Sequence, residues 1–493
     1  MKLSKILAGC NTIIQKGTKK GTVPFFVPFG DIEILSLAFD SGQCQAGSLF
    51  FCLVGGKADG HDFAAQAEKN GAAAIVAQRQ TNSRLPHILV KDTRKALSKA
   101  SANFYHNPHK KLKLIGITGT NGKTTTTYIV KSILEAAGKK VGLIGTNEII
   151  FDNQTIVSSL TTPDPTQFYN ILSQMIFSGV QYVVMEVSAH ALALEKMHGV
   201  TFDISAFTNF SQDHLDFFGD MDTYFKAKCK LFTAEYSKCC VFNIDDDRIN
   251  EFALQCTLPN LTFGFNNPCD VFGVYEKING AGLEFVLNLN DDIQKIECSL
   301  TGKFNSYNIL CAAAVCGALG VDLKTIAKGV KKIKRIDGRF NVIKGAKCDI
   351  IIDFAHTADG LRNILTAVKS QAKGRIITVF GCGGDRDKEK RPLMGKTVSE
   401  LSDYCFITSD NPRGEKPCNI INDIYQGFAV KNQTKAFLIV DRKQAIKQAI
   451  EFAETDDIIL VAGKGAEQYI EVGGDKIPYN DEKYIKELMN NVG

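Results

Sequence analysis

The chain has 493 residues, 44% of them hydrophobic and 23% charged, and a formal net charge of +5. That length is too great for one ordinary core and predicts about three domains. The small net charge gives no reason to expect a nucleic-acid partner, and no stretch approaches the roughly 20 apolar residues of a membrane helix.

In chain order, the N-terminal stretch has its apolar run broken by Ser4, Lys5 and Asn11, so no secretion signal is expected there. The run before Leu7-Ala8-Gly9-Cys10 is too short for a lipoprotein signal. Gly47 to Val54 predicts a buried strand, followed by the turn Gly55-Gly56-Lys57-Ala58, a helix from Ala64 to Asn70 and a strand from Ala72 to Ala77. Residues 1–112 therefore read as a small α/β domain. A loop lysine such as Lys57 could meet a phosphate, although most such lysines are simply solvated.

Leu114, Ile115 and Ile117 lead into Gly119-Thr120-Asn121-Gly122-Lys123-Thr124-Thr125. Ile129, Val130, Ile133, Leu134 and Ala137 then recur at helical spacing, with Gly138 where a helix would stop. This is strand, glycine loop, helix, an arrangement that binds phosphate through unpaired N–H groups and the positive end of the helix dipole. Lys123 can reach the β and γ phosphates and Thr124 can ligate Mg²⁺. The generic GxxxxGK[ST] loop would need glycine at Ile117, so the match is to a variant loop. A plain strand-to-helix turn is the bland alternative. The loop implies ATP but no particular reaction.

Strand–helix alternation continues from there, predicting a mostly parallel sheet. Val180 to Val187 is a strand ending at Glu186 and Ser188, where Glu186 could hold a cation or its waters. Ile204 to Asn209 is another, running into Gln212-Asp213-His214-Leu215-Asp216, a candidate metal or phosphate site. In Tyr224 to Phe232, lysines at alternate positions cannot share one helix face, so one should point inward and need a partner or a modification. Asn305 is expected to cap a helix over Ile309 to Leu319. The basic run Lys331, Lys332, Lys334 and Arg335 reads as a solvated helix end.

A new series begins near Arg339, and 113–334 and 335–493 are taken as the second and third domains. Four strands end in glycine or charged loops: Asp349 to Phe354, Arg375 to Phe380, Tyr404 to Thr408 and Ile458 to Ala462. Four such loops on one sheet edge make a binding face. The fifteen cysteines include no Cys-x-x-Cys pair and no zinc spacing, so reduced core thiols in a cytoplasmic protein are expected.

Eight stretches taken together resemble the Mur ligases, ATP-dependent amide-forming enzymes of peptidoglycan assembly. They are Gly119–Thr125, Thr161-Thr-Pro-Asp164, Met185-Glu-Val-Ser188, Gln212–Asp216, Asp353-Phe-Ala-His356, Gly381–Asp387, Asp410-Asn-Pro-Arg413 and Gly463-Lys-Gly465. The resemblance spans nearly the whole chain. It implies an α/β fold of three domains: one for the UDP end of the substrate, a central P-loop-type domain with a mostly parallel sheet, and a C-terminal Rossmann-like domain that brings the amino acid.

It also implies a reaction in which a substrate carboxylate is phosphorylated by ATP and an amine then displaces phosphate. Cell-wall biogenesis, and with it cell shape and division, would depend on that reaction. By resemblance, Gly119, Thr120, Asn121, Gly122, Lys123, Thr124, Thr125, Asn305 and Arg339 bind ATP, and Lys123, His214 and Lys228 are catalytic. Thr124, Glu186, His214 and a carbamylated Lys228 would hold Mg²⁺. Asp353 and His356 would line the closure of the domains.

Ser41, Gly56, Lys57 and Ala58 would take the uridine end of UDP-N-acetylmuramoyl-L-alanyl-D-glutamate. Thr161, Thr162, Ser188 and Lys196 would take its peptide end. Arg386, Asp410, Asn411, Pro412, Arg413, Gly463 and Glu467 would form the amino-acid pocket. Family members with Asp-Asn-Pro-Arg add meso-diaminopimelate, and Arg413 can grip its distal carboxylate with two parallel hydrogen bonds. A lysine-adding enzyme would bury Arg413 unpaired.

The chain departs from the family pattern at Gly42, Ala189, Lys196, Phe354 and Ala358. Lys196 keeps the usual arginine's charge but not its fork. A monomer acting on small molecules is expected, with no nucleic-acid or membrane partner. The alternatives are a lysine-adding sibling, a folate polyglutamate synthetase and a P-loop protein that hydrolyses ATP without ligation.

Overall fold

The computed structural model describes residues 1–12, 31–56, 58–158, 160–280, 282–345 and 347–490. It divides into two compact units. The first comprises Met1–Gly116, Lys140–Asp203 and Lys230–Lys238, and the second Ile117–Lys139, Ile204–Cys229 and Cys239–Gly493.

In the first unit, strands Ser36–Ala38, Ser48–Phe51, Ala72–Ala77 and His87–Leu89 form a four-stranded sheet, parallel throughout. Leu3, Ile6 and Leu7, at the start of the chain, pack into its core with Leu49, Phe51, Val76 and Leu97. Those N-terminal apolar residues are thus core residues. Elsewhere in this unit Tyr182–Glu186 pairs in parallel with Val141–Ile144, which continues antiparallel through Glu148–Phe151 to Gln154–Val157.

The strand Lys113–Thr118 begins in the first unit and ends in the second, where it meets the glycine loop. The helix after the loop, Lys123–Ala136, buries Ile129, Val130, Ile133 and Leu134, the expected apolar stripe, and Gly138 at φ +75° follows its end. The second unit's strands Ile204–Phe207, Cys240–Asn243, Asn260–Gly264 and the start of Val271–Asn279 are parallel neighbours.

Val271–Asn279, Gly282–Leu289 and Asp292–Cys298 then form an antiparallel meander. This extension was not anticipated. Its signal is the alternation of buried Leu283, Phe285, Leu287 and Leu289 with more exposed neighbours.

Asn305 does not cap its helix. The helix runs Lys303–Ala318 with Gly302 at the cap, and Asn305 lies inside the first turn, buried, donating to the Thr301 carbonyl at 2.7 Å. Burial decides this. Asn305 and Asn308 bond each other at 3.0 Å beneath the glycine loop's helix, where an exposed cap could not reach.

The C-terminal sheet has the order Asn341–Ile343, Asp349–Asp353, Ile458–Ala462, Ile376–Phe380, Tyr404–Ile407, Ala436–Leu438. All but the first strand are parallel to one another, so the four expected loops do leave one edge. All fifteen cysteines are free and nine are buried, as core thiols would be. Among the described residues no helix is long and apolar enough to cross a membrane.

Candidate active site

The glycine loop is fitted to its surroundings by two glycines. A Cβ on Gly119 (φ +149°) would lie 1.9 Å from Thr208 Oγ1, and one on Gly122 (φ +83°) 2.3 Å from Asn308 Oδ1. No side chain fits at either position, so loop and neighbours pack backbone to side chain. Thr208 Oγ1 and Asn209 Nδ2 both donate to the Asn121 carbonyl, at 2.7 and 2.9 Å, and the Asn121 N–H donates to Asn209 Oδ1 at 2.9 Å. The Thr120 hydroxyl donates to the Ser211 carbonyl and accepts from the Ser211 N–H, each at 3.0 Å. The loop is thus a pre-built frame, with Thr208, Asn209, Ser211 and Asn308 as supports that sequence reasoning did not single out.

Two lysines converge on this frame. Lys123 Nζ donates to the Gly119 and Thr120 carbonyls at 2.9 and 2.8 Å. Lys228 is the inward lysine of its helix, 2% exposed, and also donates to the Gly119 carbonyl, at 2.8 Å. The Tyr224 ring lies 4.7 Å beneath it. Burial and the charge of Lys123 hold the Lys228 ammonium well below the ordinary lysine range.

Asp213, buried, gathers three further groups. Oδ1 accepts from Lys390 Nζ at 3.1 Å and from the His214 N–H at 2.9 Å. Oδ2 faces His214 Nε2 at 3.4 Å and His356 Nε2 at 3.6 Å. Burial pushes this carboxyl up, but Lys390 and the two imidazoles outweigh it and hold it well below the carboxylate range. His214 adopts φ +59°, in the left-handed region, and its ring lies against Asp213.

Lys390 was missed because its partner is 177 residues away. We expect Lys390→Met to leave Asp213 charged and buried, at a cost of about 3 kcal/mol. A lowered urea midpoint, largely regained in Asp213→Leu/Lys390→Met, would establish the pairing. An unchanged midpoint in the single variant would refute it.

The segment around 339–359 completes this site. Arg339 Nη2 donates to Thr124 Oγ1 at 2.9 Å and its guanidinium stacks 4.5 Å from the Phe354 ring centre. Asp359 accepts from Asn121 Nδ2 at 3.0 Å and from the Ser211 hydroxyl at 3.4 Å. Asp353 accepts the N–H groups of Phe340 and Ala355, and burial raises its carboxyl in spite of Arg339 and those donors. The structure thus brings Gly119–Thr125, His214, Lys228, Arg339, Asp353 and His356 together.

At the C-terminal sheet edge, Asn411 Nδ2 donates to Glu467 at 3.0 Å and its Oδ1 accepts from Lys464 and the Glu471 N–H. Lys464, fully buried, also donates to Glu467 at 2.7 Å. Asp410 is buried, which raises its carboxyl, but Lys464 and Arg442 outweigh burial and lower it. The Gly463 N–H donates to the Asp353 carbonyl at 3.1 Å. Arg386 is exposed on the 381–387 loop, and Pro412 is buried.

Arg413 corrects an expectation. Its Nε donates to Glu471 at 3.0 Å and its Nη1 to the Gly384 carbonyl at 2.8 Å, so it has partners without any ligand. Glu471 comes from the hairpin Tyr469–Val472/Asp475–Pro478, whose position beside Arg413 depends on long-range pairing.

In the first unit, Thr161, Thr162, Glu186 and Ser188 gather at the end of the strand Tyr182–Glu186. Glu186 accepts from the Thr146 N–H and hydroxyl at 2.7 and 3.0 Å. The hydroxyls of Thr146 and Thr161 lie 3.1 Å apart, within hydrogen-bond distance, and Thr162 Oγ1 accepts from the Ser188 N–H at 3.0 Å. Lys196 pairs with Asp164 at 2.8 Å. Ser41 opens a single turn capped by Asp40, and the Ser41 carbonyl accepts from Asn70. Ala58 closes a turn with Gly55 beside exposed Gly56; Lys57 lies outside the described residues. Glu186 and these residues belong to one unit, Thr124, His214 and Lys228 to the other.

Three family profiles match the chain in succession: "Mur ligase family, catalytic domain" over 33–105, "Mur ligase middle domain" over 117–316, and "Mur ligase, glutamate ligase domain" over 338–465. A UDP-N-acetylmuramoyl-L-alanyl-D-glutamate--2,6-diaminopimelate ligase of Clostridium acetobutylicum is 42% identical, covering 95% of this chain and 98% of its own. One of the same name from Bacillus licheniformis is 40% identical over 99% of both chains.

A solved structure of such a ligase superposes with TM-score 0.65 at 27% identity, covering 97% of this chain and 98% of its own. The MurF ligase of Thermotoga maritima in complex with ADP shares the fold at TM-score 0.61 and 20% identity, over 87% and 94%. With 42% identity carried across nearly the whole chain and three family profiles in order along it, this protein belongs to the Mur ligase family.

Proposed function

We propose that the chain is the ATP-dependent ligase that adds meso-2,6-diaminopimelate to the D-glutamate of UDP-N-acetylmuramoyl-L-alanyl-D-glutamate, in peptidoglycan synthesis. The D-glutamate γ-carboxylate attacks the γ-phosphorus of ATP and ADP leaves. The amine of diaminopimelate attacks the acyl carbon of the resulting acyl phosphate, phosphate leaves, and the nitrogen loses a proton. Two anions must meet in the first step, so cations have to neutralise them. Lys123 and the N–H groups of the glycine loop face that task, with Arg339 beside Thr124.

The residues suit a magnesium ion held chiefly by nucleotide phosphates. Mg²⁺ keeps several waters and takes one or two protein ligands. That agrees with the buried hydroxyl of Thr124 at the start of the helix after the loop. His214, Glu186 and a carbamylated Lys228 are the further candidates to hold it or its waters. When bound, magnesium would supply charge neutralisation of the phosphates.

Asn305 and Arg339 are assigned to ATP. Ser41, Gly56, Lys57 and Ala58 are assigned to the uridine end, and Thr161, Thr162, Ser188 and Lys196 to the peptide end. Three domains, 1–112, 113–334 and 335–493, are supported by the gaps between the family profiles. A cytoplasmic location is supported by the free thiols, and a monomer is assigned with it.

One observation carries the choice of amino acid. Arg413, Asn411 and Glu467 are joined through one hydrogen-bonded group with Glu471 and Lys464, so a guanidinium and a carboxylate stand in one cluster that a ligand with both signs of charge would suit. The pairing of Arg413 with Glu471 favours a second reading, a lysine-adding ligase, because Arg413 then needs no substrate carboxylate.

A panel of meso-diaminopimelate, L-lysine and L-ornithine separates the two. Phosphate release with UDP-N-acetylmuramoyl-dipeptide and ATP should require meso-diaminopimelate. Release with L-lysine alone would establish the second reading, and release with no amino acid at all would leave an ATPase. Arg413→Ala should raise the KM for diaminopimelate about 10- to 100-fold, the worth of a charged hydrogen bond, and leave the KM for ATP in place. Equal changes in both would remove Arg413 from the pocket.

A further inference from the structure

Glu195 stands where a helix end normally carries glycine. The short helix Ala189–Ala193 closes with the Glu195 N–H on the Leu192 carbonyl and the Lys196 N–H on the Ala191 carbonyl, at 3.3 and 2.9 Å. This is the paired closure in which the left-handed residue is usually glycine, and Glu195 adopts φ +55° there. A glutamate kept in that conformation must be held by its surroundings.

It is held at both ends. The buried Ser98 hydroxyl donates to the Glu195 carbonyl at 2.7 Å and reaches the Lys196 carbonyl at 3.4 Å. The Glu195 carboxylate takes the Lys230 ammonium on Oε1 and the Tyr236 hydroxyl on Oε2, the latter at 3.2 Å, with Lys95 at 4.0 Å. Lys230 also donates to the Leu192 carbonyl at 3.3 Å, clamping the same helix end. The next residue, Lys196, extends to Asp164 at 2.8 Å, and its side chain is only 14% exposed. Asp164 follows Thr161, whose hydroxyl lies 3.1 Å from that of Thr146, and Thr162, whose hydroxyl lies 3.4 Å from that of Ser188.

We propose that Glu195 is a positioning residue. Its clamped, left-handed backbone aims the Lys196 ammonium into the Thr161–Asp164 corner, where it meets an anionic group of the UDP-linked peptide. This rests on the assignment of that corner to the peptide substrate. A lysine head is a single mobile charge on a flexible stem, lacking the fork with which arginine orients itself. A Lys196 therefore depends more on its stem being aimed.

Glu195→Gly tests this, because glycine accepts the left-handed backbone while the carboxylate clamp is lost. The KM for UDP-N-acetylmuramoyl-L-alanyl-D-glutamate should rise about tenfold, with kcat and the KM values for ATP and amino acid kept. Glu195→Gln, whose single amide oxygen can accept from Lys230 or from Tyr236 in place of the carboxylate, should recover part of that loss. An unchanged KM for the UDP substrate, or a fall in kcat alone, would overturn the role.

A crystal structure of Glu195→Gly should show Lys196 withdrawn from Asp164. A preserved 2.8 Å contact would overturn the proposal whatever the substrate proves to be. A wild-type chain inactive on the UDP substrate would sink the function proposed above, and the crystallographic outcome would still decide the positioning.

Discussion

Lys123→Ala should lower ATP-dependent amide formation by about 100- to 1000-fold, the usual cost of removing one preorganised charge from a phosphoryl-transfer site. Lys123 opens the helix Lys123–Ala136 and folds back over its own loop, donating to the carbonyls of Gly119 and Thr120. Those carbonyls are neutral acceptors. A triphosphate in the loop offers charged ones, and hydrogen bonds between ions are about twice as strong.

The charge that develops on the transferred phosphoryl group would then lack its cation in the variant. The frame around the loop should survive, because its supports Thr208, Asn209, Ser211 and Asn308 hold it through Gly119, Thr120, Asn121 and Gly122. Initial-rate phosphate release at saturating ATP, with circular dichroism to check the fold, reads this directly. Normal rates would undo the assignment of the loop.

Lys228→Ala should cost at least about 100-fold in turnover, for a different reason. Lys123 and Lys228 donate to the same Gly119 carbonyl. Two ammonium ions on one acceptor repel each other, and burial together with the charge of Lys123 holds the Lys228 ammonium well below the ordinary lysine range, which favours its neutral form. A neutral amine is the form that attacks carbon dioxide. The nitrogen forms a bond to carbon, loses a proton, and becomes a carbamate anion.

That step would exchange a repulsion with Lys123 for an attraction and set an anion beside the glycine loop. Labelling with ¹³C-bicarbonate should give a carbamate signal in the wild type that Lys228→Ala lacks. Chloride should restore part of the variant's activity by supplying an anion in its place. Unimpaired turnover in Lys228→Ala would remove Lys228 from the site.

The parts of this site that were legible in the sequence share a property: each is encoded within a few consecutive residues. Gly119 to Thr125 declares a loop because an apolar strand precedes it and a helical stripe follows. The inward lysine was legible because alternate positions cannot share a helix face. The four C-terminal loops were legible because each follows an apolar run that turns charged or glycine-rich. In contrast, Asn305 looked like a helix cap because local spacing cannot reveal that Gly302 takes that role and that the asparagine is buried.

What the sequence determined by itself was the order of strands, loops and helices and the chemical kind of each loop. Backbone preference and apolar periodicity are local, and they needed no partner to be read. Only the tertiary structure decided which charges meet. It placed Lys390 on Asp213, Asp359 on Asn121, Glu471 on Arg413 and Lys230 on Glu195. The physical reason is that a buried charge must find an opposite charge or a hydrogen-bond partner. Which partner it finds depends on strand order and helix packing, and those bring together residues far apart in the chain.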